Sequence, residues 1–313
     1  MNNMTKFIYA AVAAVLIFTS CEEPFVPETT EADQQLVVEG FIEAGEGALP
    51  TYVLISKSIP FIGEISPETF SNLFVNDAVV TVNDGDKDTE LTELCLQDLP
   101  AGIKEQAALI LGLDPDSTSA NICAYVDITG SITQEQGRSY DLTIDLDGNI
   151  ITATTSIPVA VPLFDLKWED PPGDPNDTMA TLKVTIDDPG TEANFYRYFS
   201  SANGGPLVPP FASVVDDAFF DGKEFEFPLN QALERGAEVD PNTIGLWTRG
   251  DTIVLKWCTI DEGHYNFWQT FDFNNNNNGP FSSYTRVNSN VNGALGVWGG
   301  YAINIYEEIV EVE

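Results

Sequence analysis

Through much of the chain apolar and polar residues alternate one by one, and this two-residue period predicts β-strands. Between residues 140 and 146, apolar side chains stand at 142, 144 and 146, and polar side chains at 141, 143 and 145. The pair Asp147 and Gly148 then favours a two-residue hairpin turn, with residues 149–155 as the returning strand. Further strands are predicted at 36–42, 51–58, 78–82, 124–128, 163–168, 181–186, 195–200, 223–227, 252–260 and 296–306.

Two segments have a helical pattern instead. Residues 102–113 carry apolar side chains at 103, 107, 110 and 111, and the segment lies between Pro100 and Pro115. We expect a short helix inserted between two strands. A second helix is predicted to start near Tyr265, with Asp261 as its N-cap and with Trp268 three positions after Tyr265.

A proline-rich connection at residues 157–162 is the predicted boundary between two domains. Short strands with turns between them are typical of β-sandwiches. The expected fold is therefore mainly β. Residues 36–158 would form an N-terminal Ig-like β-sandwich with the short helical insert, and residues 159–313 a second β-sandwich or jelly-roll-like domain.

The first twenty residues have the pattern of a lipoprotein signal peptide. Lys6 is followed by an apolar run at 7–18, which is shorter than the ~20 residues of a membrane-spanning helix. Thr19 and Ser20 are small, and Cys21 follows directly. We expect cleavage before Cys21 and acylation of its thiol. Residues 21–35, acidic and rich in Thr and Pro, would then be a flexible tether.

The chain is strongly acidic, with 49 Asp and Glu against 13 Lys and Arg and a net charge of −36. Such a charge repels nucleic acid, so no nucleic-acid partner is expected. Most of the acidic residues are expected to form a solvated surface.

Apart from Cys21, the cysteines are Cys95, Cys123 and Cys258. An oxidising compartment permits disulfides, and Cys95 with Cys123 is the favoured pair because these two residues flank the helical insert. Cys258 lies in an alternating strand pattern and is expected to be a small buried apolar residue. Three cysteines and one histidine do not form a recognisable metal motif, so neither a metal nor a cofactor is predicted.

Two further patterns bear on possible metal binding and catalysis. Asp84, Asp86 and Asp88 begin like a calcium loop, but the sixth and twelfth loop positions hold Thr89 and Cys95 where Gly and a carboxylate are needed. A polar hairpin turn is the favoured interpretation. The lone His264 has no Gly-x-Ser-x-Gly elbow to work with, so it is interpreted as structural and no catalytic residues are predicted.

Aromatic residues crowd the second half of the chain, and most are expected to pack in the core. Those beside predicted loops are candidate contacts for a ligand or a protein partner. They are Phe281, Tyr284 and Trp298.

The order of these features resembles a known family, the Bacteroidota outer-membrane lipoproteins grouped as domain of unknown function 4249. The most specific part is a terminal Ser-Asn-x-x-Gly-x-x-Gly block at 289–296, which runs into Val297, Trp298 and a Gly-Gly-Tyr at 299–301. The other segments that carry the resemblance are Cys21-Glu22-Glu23, Leu36-Val37-Val38-Glu39-Gly40, Val75-Asn76-Asp77-Ala78-Val79-Val80, Ile157-Pro158 and Leu255-Lys256-Trp257-Cys258-Thr259-Ile260-Asp261.

The resemblance implies a lipid-anchored protein of the outer membrane that is exposed at the cell surface, with Glu22 and Glu23 similar to a surface-export signal. It also implies an accessory role beside a TonB-dependent transporter in nutrient uptake. We therefore expect a non-enzymatic binding or accessory protein. The alternatives are a structural or adhesive envelope lipoprotein without a small-molecule ligand and, behind it, a secreted hydrolase that uses carboxylates.

Overall fold

A computed structural model describes residues 34–59, 72–110, 122–173, 178–233, 240–276 and 286–312. The predicted signal peptide, Cys21, Glu22 and Glu23 lie outside the described residues, as do Phe281 and Tyr284. The described residues belong to one compact unit.

Strands dominate the fold, which confirms the prediction of a mainly β protein built from packed sheets. The described residues contain two helices, α1 at Ala101–Ile110 and α2 at Glu262–Asn276, and a short 3-10 turn at Leu96–Asp98. The strands are β1 Leu36–Ala44, β2 Tyr52–Lys57, β3 Val79–Asn83, β4 Asp88–Glu90, β5 Thr92–Cys95, β6 Cys123–Val126, β7 Arg138–Leu146, β8 Asn149–Ile157, β9 Leu163–Glu169, β10 Met179–Asp187, β11 Phe195–Ala202, β12 Val214–Asp216, β13 Glu224–Leu229, β14 Trp247–Thr248, β15 Thr252–Ile260, β16 Val291–Asn292 and β17 Leu295–Ile309.

The hairpin expected between β7 and β8 is present, with Leu146 opposite Asn149. Its two turn residues both have positive φ, 53° at Asp147 and 84° at Gly148. A two-residue type I′ turn requires this conformation, because its twist matches that of the flanking strands.

A central sheet of eight strands, in the order β12-β11-β15-β17-β1-β2-β6-β5, forms the frame of the molecule. β1 runs parallel to β17, with Val37 opposite Leu295. All other pairs of neighbouring strands in this sheet are antiparallel. The predicted boundary after residue 158 falls between β8 and β9. Residues 36–158 and residues 159–313 nevertheless contribute four strands each to this sheet. Backbone hydrogen bonds between β1 and β17 therefore join the two predicted domains in one sheet.

One face of the central sheet, here called the inner face, packs on two smaller sheets. The sheet β16-β8-β7-β3-β4 covers one half, and the sheet formed by β9, β10, β13 and β14 covers the other. Each half has its own apolar core. The first contains Ile42, Ile55, Leu142, Ile144 and Trp298, and the second contains Leu182, Val184, Tyr196, Leu255 and Trp257.

The opposite face, here called the outer face, packs against α2. Tyr265 and Phe267 of the helix cluster with Phe41 and Tyr301 of the sheet. The predicted cap is confirmed, because the backbone N–H of His264 donates to Oδ1 of Asp261 at 2.8 Å. Within the described part of the chain, neither helix has the length and apolar character needed to cross a bilayer.

A disulfide joins Cys95 and Cys123, which lie directly opposite each other on β5 and β6 at the edge of the central sheet. The helix α1 lies between them in the chain, as the sequence suggested. Cys258 is free and buried on β15.

Candidate ligand-binding cleft

Charged residues lie within the central strands on the outer face. Successive side chains of a strand point to opposite faces, so Ile253, Leu255 and Trp257 enter the second core while Lys256 points outward. The same alternation directs Glu39 and Glu43 of β1, and Arg197 of β11, to the outer face. The strand register brings them together, because Arg197 lies opposite Cys258 and Phe199 lies opposite Lys256.

These side chains line a cleft of about 500 Å³. Its walls come from β1, β2, β11, β15, β17, α2 and the two loops that follow β1 and β11. The lining residues are Glu39, Phe41, Glu43, Gly47, Leu49, Tyr52, Leu54, Arg197, Phe199, Gly205, Pro206, Leu207, Pro209, Lys256, Trp268, Tyr301 and Ile305.

Lys256 and Glu43 form a buried ion pair on the floor of the cleft. Nζ of Lys256 lies 2.5 Å from Oε1 of Glu43, and the two side chains are 11% and 7% exposed. Oε2 of Glu43 accepts a hydrogen bond from the backbone N–H of Leu49 at 3.1 Å. Both carboxylate oxygens of Glu43 are therefore occupied, and the two charges compensate each other.

Arg197 is 3% exposed and is held mainly by neutral groups. Its Nε donates to Oγ of Ser213 at 3.2 Å, and its Nη1 donates to the hydroxyl of Tyr301. The guanidinium lies 3.5 Å from the ring centre of Trp268 and 4.7 Å from that of Phe199, a cation–π arrangement. Among the described residues, no carboxylate lies within the 4.0 Å of an ion pair with this guanidinium.

Glu39 lies at the wall of the same cleft and keeps a solvent-exposed surface. The protein atoms around it raise the pKa of its carboxyl group above the usual value, and the nearby positive charge of Arg197 opposes that rise. Burial also raises the pKa of Tyr52 and of Tyr301, so both phenols stay protonated at neutral pH. The cleft thus presents one paired cation, one unpaired cation and one weakly acidic carboxyl group.

His264 lies behind the cleft and is fully buried. Its ring centre is 5.8 Å from that of Phe41 and 4.5 Å from that of Tyr301, and its Nδ1 lies 3.2 Å from the carbonyl oxygen of Gly300. Burial lowers the pKa of the imidazole to about 4, although the charge of Asp261 acts in the opposite direction. The ring is therefore neutral at pH 7 and structural, as the sequence suggested.

Trp298 corrects one prediction, because this candidate contact residue is fully buried in the first core. Its indole Nε1 donates to the carbonyl oxygen of Tyr140 at 3.1 Å. The side chain of Asn290 bonds both the N–H and the carbonyl oxygen of Trp298, at 3.0 and 2.7 Å. A Cβ on Gly40 would approach Cε3 of Trp298 to 2.8 Å, so the strand needs glycine there. The terminal block therefore joins the central sheet to the five-stranded sheet.

The acidic turn that starts at Asp84 is a hydrogen-bonded hairpin, as favoured from the sequence. Burial raises the pKa of Asp84, but backbone N–H donors from Thr133, Asp86 and Lys87 outweigh it and bring the pKa to about 2. Its carboxylate thus holds two loops together.

A second acidic group brings carboxylate oxygens of Asp188, Asp217 and Asp221 within 4.8 Å of one another. Here Asp188 accepts from the hydroxyl of Tyr196 and the N–H of Gly222, and Asp217 accepts from the N–H of Asn194. The buried carboxylates of Asp188 and Asp217 thus hold neighbouring loops in place through these hydrogen bonds.

Sequence reasoning missed the four charged residues of the cleft. A signal was present, because β1, β11 and β15 are mostly apolar or aromatic and contain no other charged residues than Glu39, Glu43, Arg197 and Lys256. Long charged side chains are rarely buried unless they are paired. Such residues mark either an internal ion pair or a candidate binding site, and here Lys256 and Glu43 form an ion pair while all four residues line the cleft.

The fold and the cleft define a class, a mainly β protein with a concave, largely apolar site that contains a few convergent polar groups. The chain matches the family described as Domain of unknown function (DUF4249) over residues 22–306, and it belongs to that family. A comparison with curated proteins finds no match.

Proposed function

We propose that this protein is a surface-tethered lipoprotein that binds a small molecule as an accessory partner of a TonB-dependent outer-membrane transporter in nutrient uptake. The observation that carries the binding role is the cleft on the outer face of the central sheet. Its volume of about 500 Å³ lies within the range of small-molecule sites, roughly 300–1,000 Å³.

The location rests on the N-terminal sequence. A short apolar run, two small residues and Cys21 support export and acylation. Several acyl chains at roughly 0.8 kcal/mol per buried methylene would hold the protein stably on a membrane. Glu22 and Glu23 support exposure at the cell surface, and the resemblance to outer-membrane lipoproteins that accompany TonB-dependent transporters supports the accessory role.

The proposed role is binding without catalysis. Glu39 and Glu43 are the carboxylates among the residues that line the cleft. Because Glu43 is engaged by Lys256 and by the N–H of Leu49, it is not available as a base or nucleophile.

The test is a pull-down of the lipidated protein from detergent-solubilised outer membranes, with the captured proteins identified by mass spectrometry. A Cys21→Ala variant, which cannot be acylated on that residue, is the matched control. We expect a barrel transporter to be enriched with the wild type and to be lost with the variant, which should leave the membrane fraction. Capture of lipid alone would remove the transporter role and favour an adhesive or structural envelope protein.

A further inference from the structure

We infer that the cleft takes a small organic monocarboxylate with a flat apolar body, and that the carboxylate of this ligand pairs with Arg197. This inference rests on the binding role proposed above and specifies the ligand.

The first argument is the distribution of charge in the cleft. The chain has 49 acidic residues for 13 basic ones, yet Arg197 lies buried with no carboxylate at ion-pair distance among the described residues. Burying an uncompensated charge is costly, and an anion brought by a ligand would compensate it. Lys256 needs no such partner, because Glu43 already neutralises it.

The second argument is the geometry of the guanidinium. Ser213 occupies Nε and Tyr301 occupies Nη1, while Nη2 makes no hydrogen bond to a described residue. The guanidinium carbon lies over the ring of Trp268, 3.5 Å from its centre. A planar guanidinium held in this way, with N–H groups to spare, matches a planar carboxylate.

The third argument is the character of the walls. Phe41, Phe199 and Trp268 contribute aromatic surface, and Leu49 and Ile305 contribute aliphatic surface. A ligand with an apolar body would bury that body against these rings. A second negative charge on the ligand would meet Glu39 at the wall, so the cleft selects against dicarboxylates and phosphate esters.

The experiment compares two matched probes, 3-phenylpropionate and its neutral amide, 3-phenylpropanamide. Isothermal titration calorimetry with the full lipidated protein in detergent measures each dissociation constant. Charge-assisted hydrogen bonds lead us to expect roughly tenfold tighter binding of the acid than of the amide. Arg197→Gln should abolish this difference. Lys167→Gln, which removes the same charge from a half-exposed site on β9, should leave it unchanged.

A second variant keeps the inference testable if Arg197→Gln does not fold, which a circular-dichroism melt would reveal. Glu39→Gln retains Arg197 and removes the neighbouring negative charge. We expect it to tighten binding of the acid by about threefold and to leave the amide unchanged.

Three results would overturn the inference. They are equal affinity for acid and amide, weaker binding of the acid by Glu39→Gln, and no binding of the acid to the wild type at millimolar concentration. None of these depends on the pull-down from outer membranes. If a transporter were captured while the acid failed to bind, the ligand class would be wrong and the accessory role would stand.

Discussion

The two faces of the central sheet are built from the same strands and follow different rules. On β15, Leu255 and Trp257 point to the inner face and are closed off by a second sheet. Their neighbours Lys256 and Cys258 point to the outer face, where a single helix and two loops leave a cleft. The alternation of a strand thus lets one segment stabilise the fold on one side and present charge on the other.

The stabilising forces differ accordingly. The inner face depends on apolar burial, which is indifferent to charge and is proportional to the area removed from water. The outer face contains buried charges, of which Lys256 is compensated by Glu43 and Arg197 is held by neutral groups and aromatic rings. The same kind of substitution should therefore change the free energy of unfolding by different amounts on the two faces.

The largest effect is expected for the tryptophans. Trp298→Ala on the inner face removes a fully buried side chain and should lower the free energy of unfolding by about 3–5 kcal/mol. Trp268→Ala removes a partly exposed side chain from the outer face and should cost no more than about half of that. Denaturant unfolding followed by circular dichroism measures both, and equal losses would contradict the distinction between the faces.

The buried ion pair should show the next effect. Lys256→Met leaves Glu43 buried without its partner and should cost about 3 kcal/mol. The double variant Lys256→Met with Glu43→Leu should recover most of that stability, because two apolar side chains carry no uncompensated charge. A double-mutant cycle from urea unfolding gives the coupling energy, and additive losses would show that the pair is not coupled.

Much of the fold could be predicted from the sequence because its signals are local. The turn at Asp147 and Gly148, the helix period after Pro100 and the cap at Asp261 each depend on residues close together in the chain. The parallel pairing of β1 with β17 joins Val37 to Leu295 and has no local signal. For this reason the shared central sheet was not predicted, and two separate domains were expected instead.

The site was harder to predict than the fold for the same physical reason. Arg197 and Trp268 are far apart in the sequence, and only the sheet order and the position of α2 stack them. Trp298 was a candidate contact residue because it lies beside a predicted loop that is rich in glycines and asparagines. In the structure those residues allow close packing around a buried indole, as the contact between Gly40 and Trp298 shows.

Stability should also depend on pH through His264, a residue of α2 whose ring packs on the outer face of the central sheet. Burial lowers its folded-state pKa to about 4, whereas an unfolded imidazole titrates near 6.5. Above pH 6.5 the ring is neutral in both states. Between pH 6.5 and 4 the unfolded state binds a proton that the folded state does not, so stability should fall by about 1.4 kcal/mol per pH unit.

His264→Gln removes this contribution, and the difference in unfolding free energy between wild type and variant isolates it from the many carboxylates. Because the chain has one histidine, its imidazole resonance also reports the folded-state pKa directly by NMR. A flat difference from pH 7 to pH 4, or a resonance that titrates near 6.5, would contradict the burial effect.

The smallest effect is expected at the ion pair between Lys183 and Glu169, which joins the same residue types as the pair between Lys256 and Glu43 but is more exposed. Nζ of Lys183 lies 2.9 Å from Glu169, close to the spacing of the Lys256 pair, but the two side chains are 32% and 47% exposed. Water and salt screen such a pair, so Lys183→Met should change stability by only about 0–1 kcal/mol, and less at high salt. Urea unfolding at low and high ionic strength measures both lysine variants side by side. A loss at Lys183 as large as that at Lys256 would mean that the distance between the charges, and not their burial in the cleft, sets the energy of these pairs.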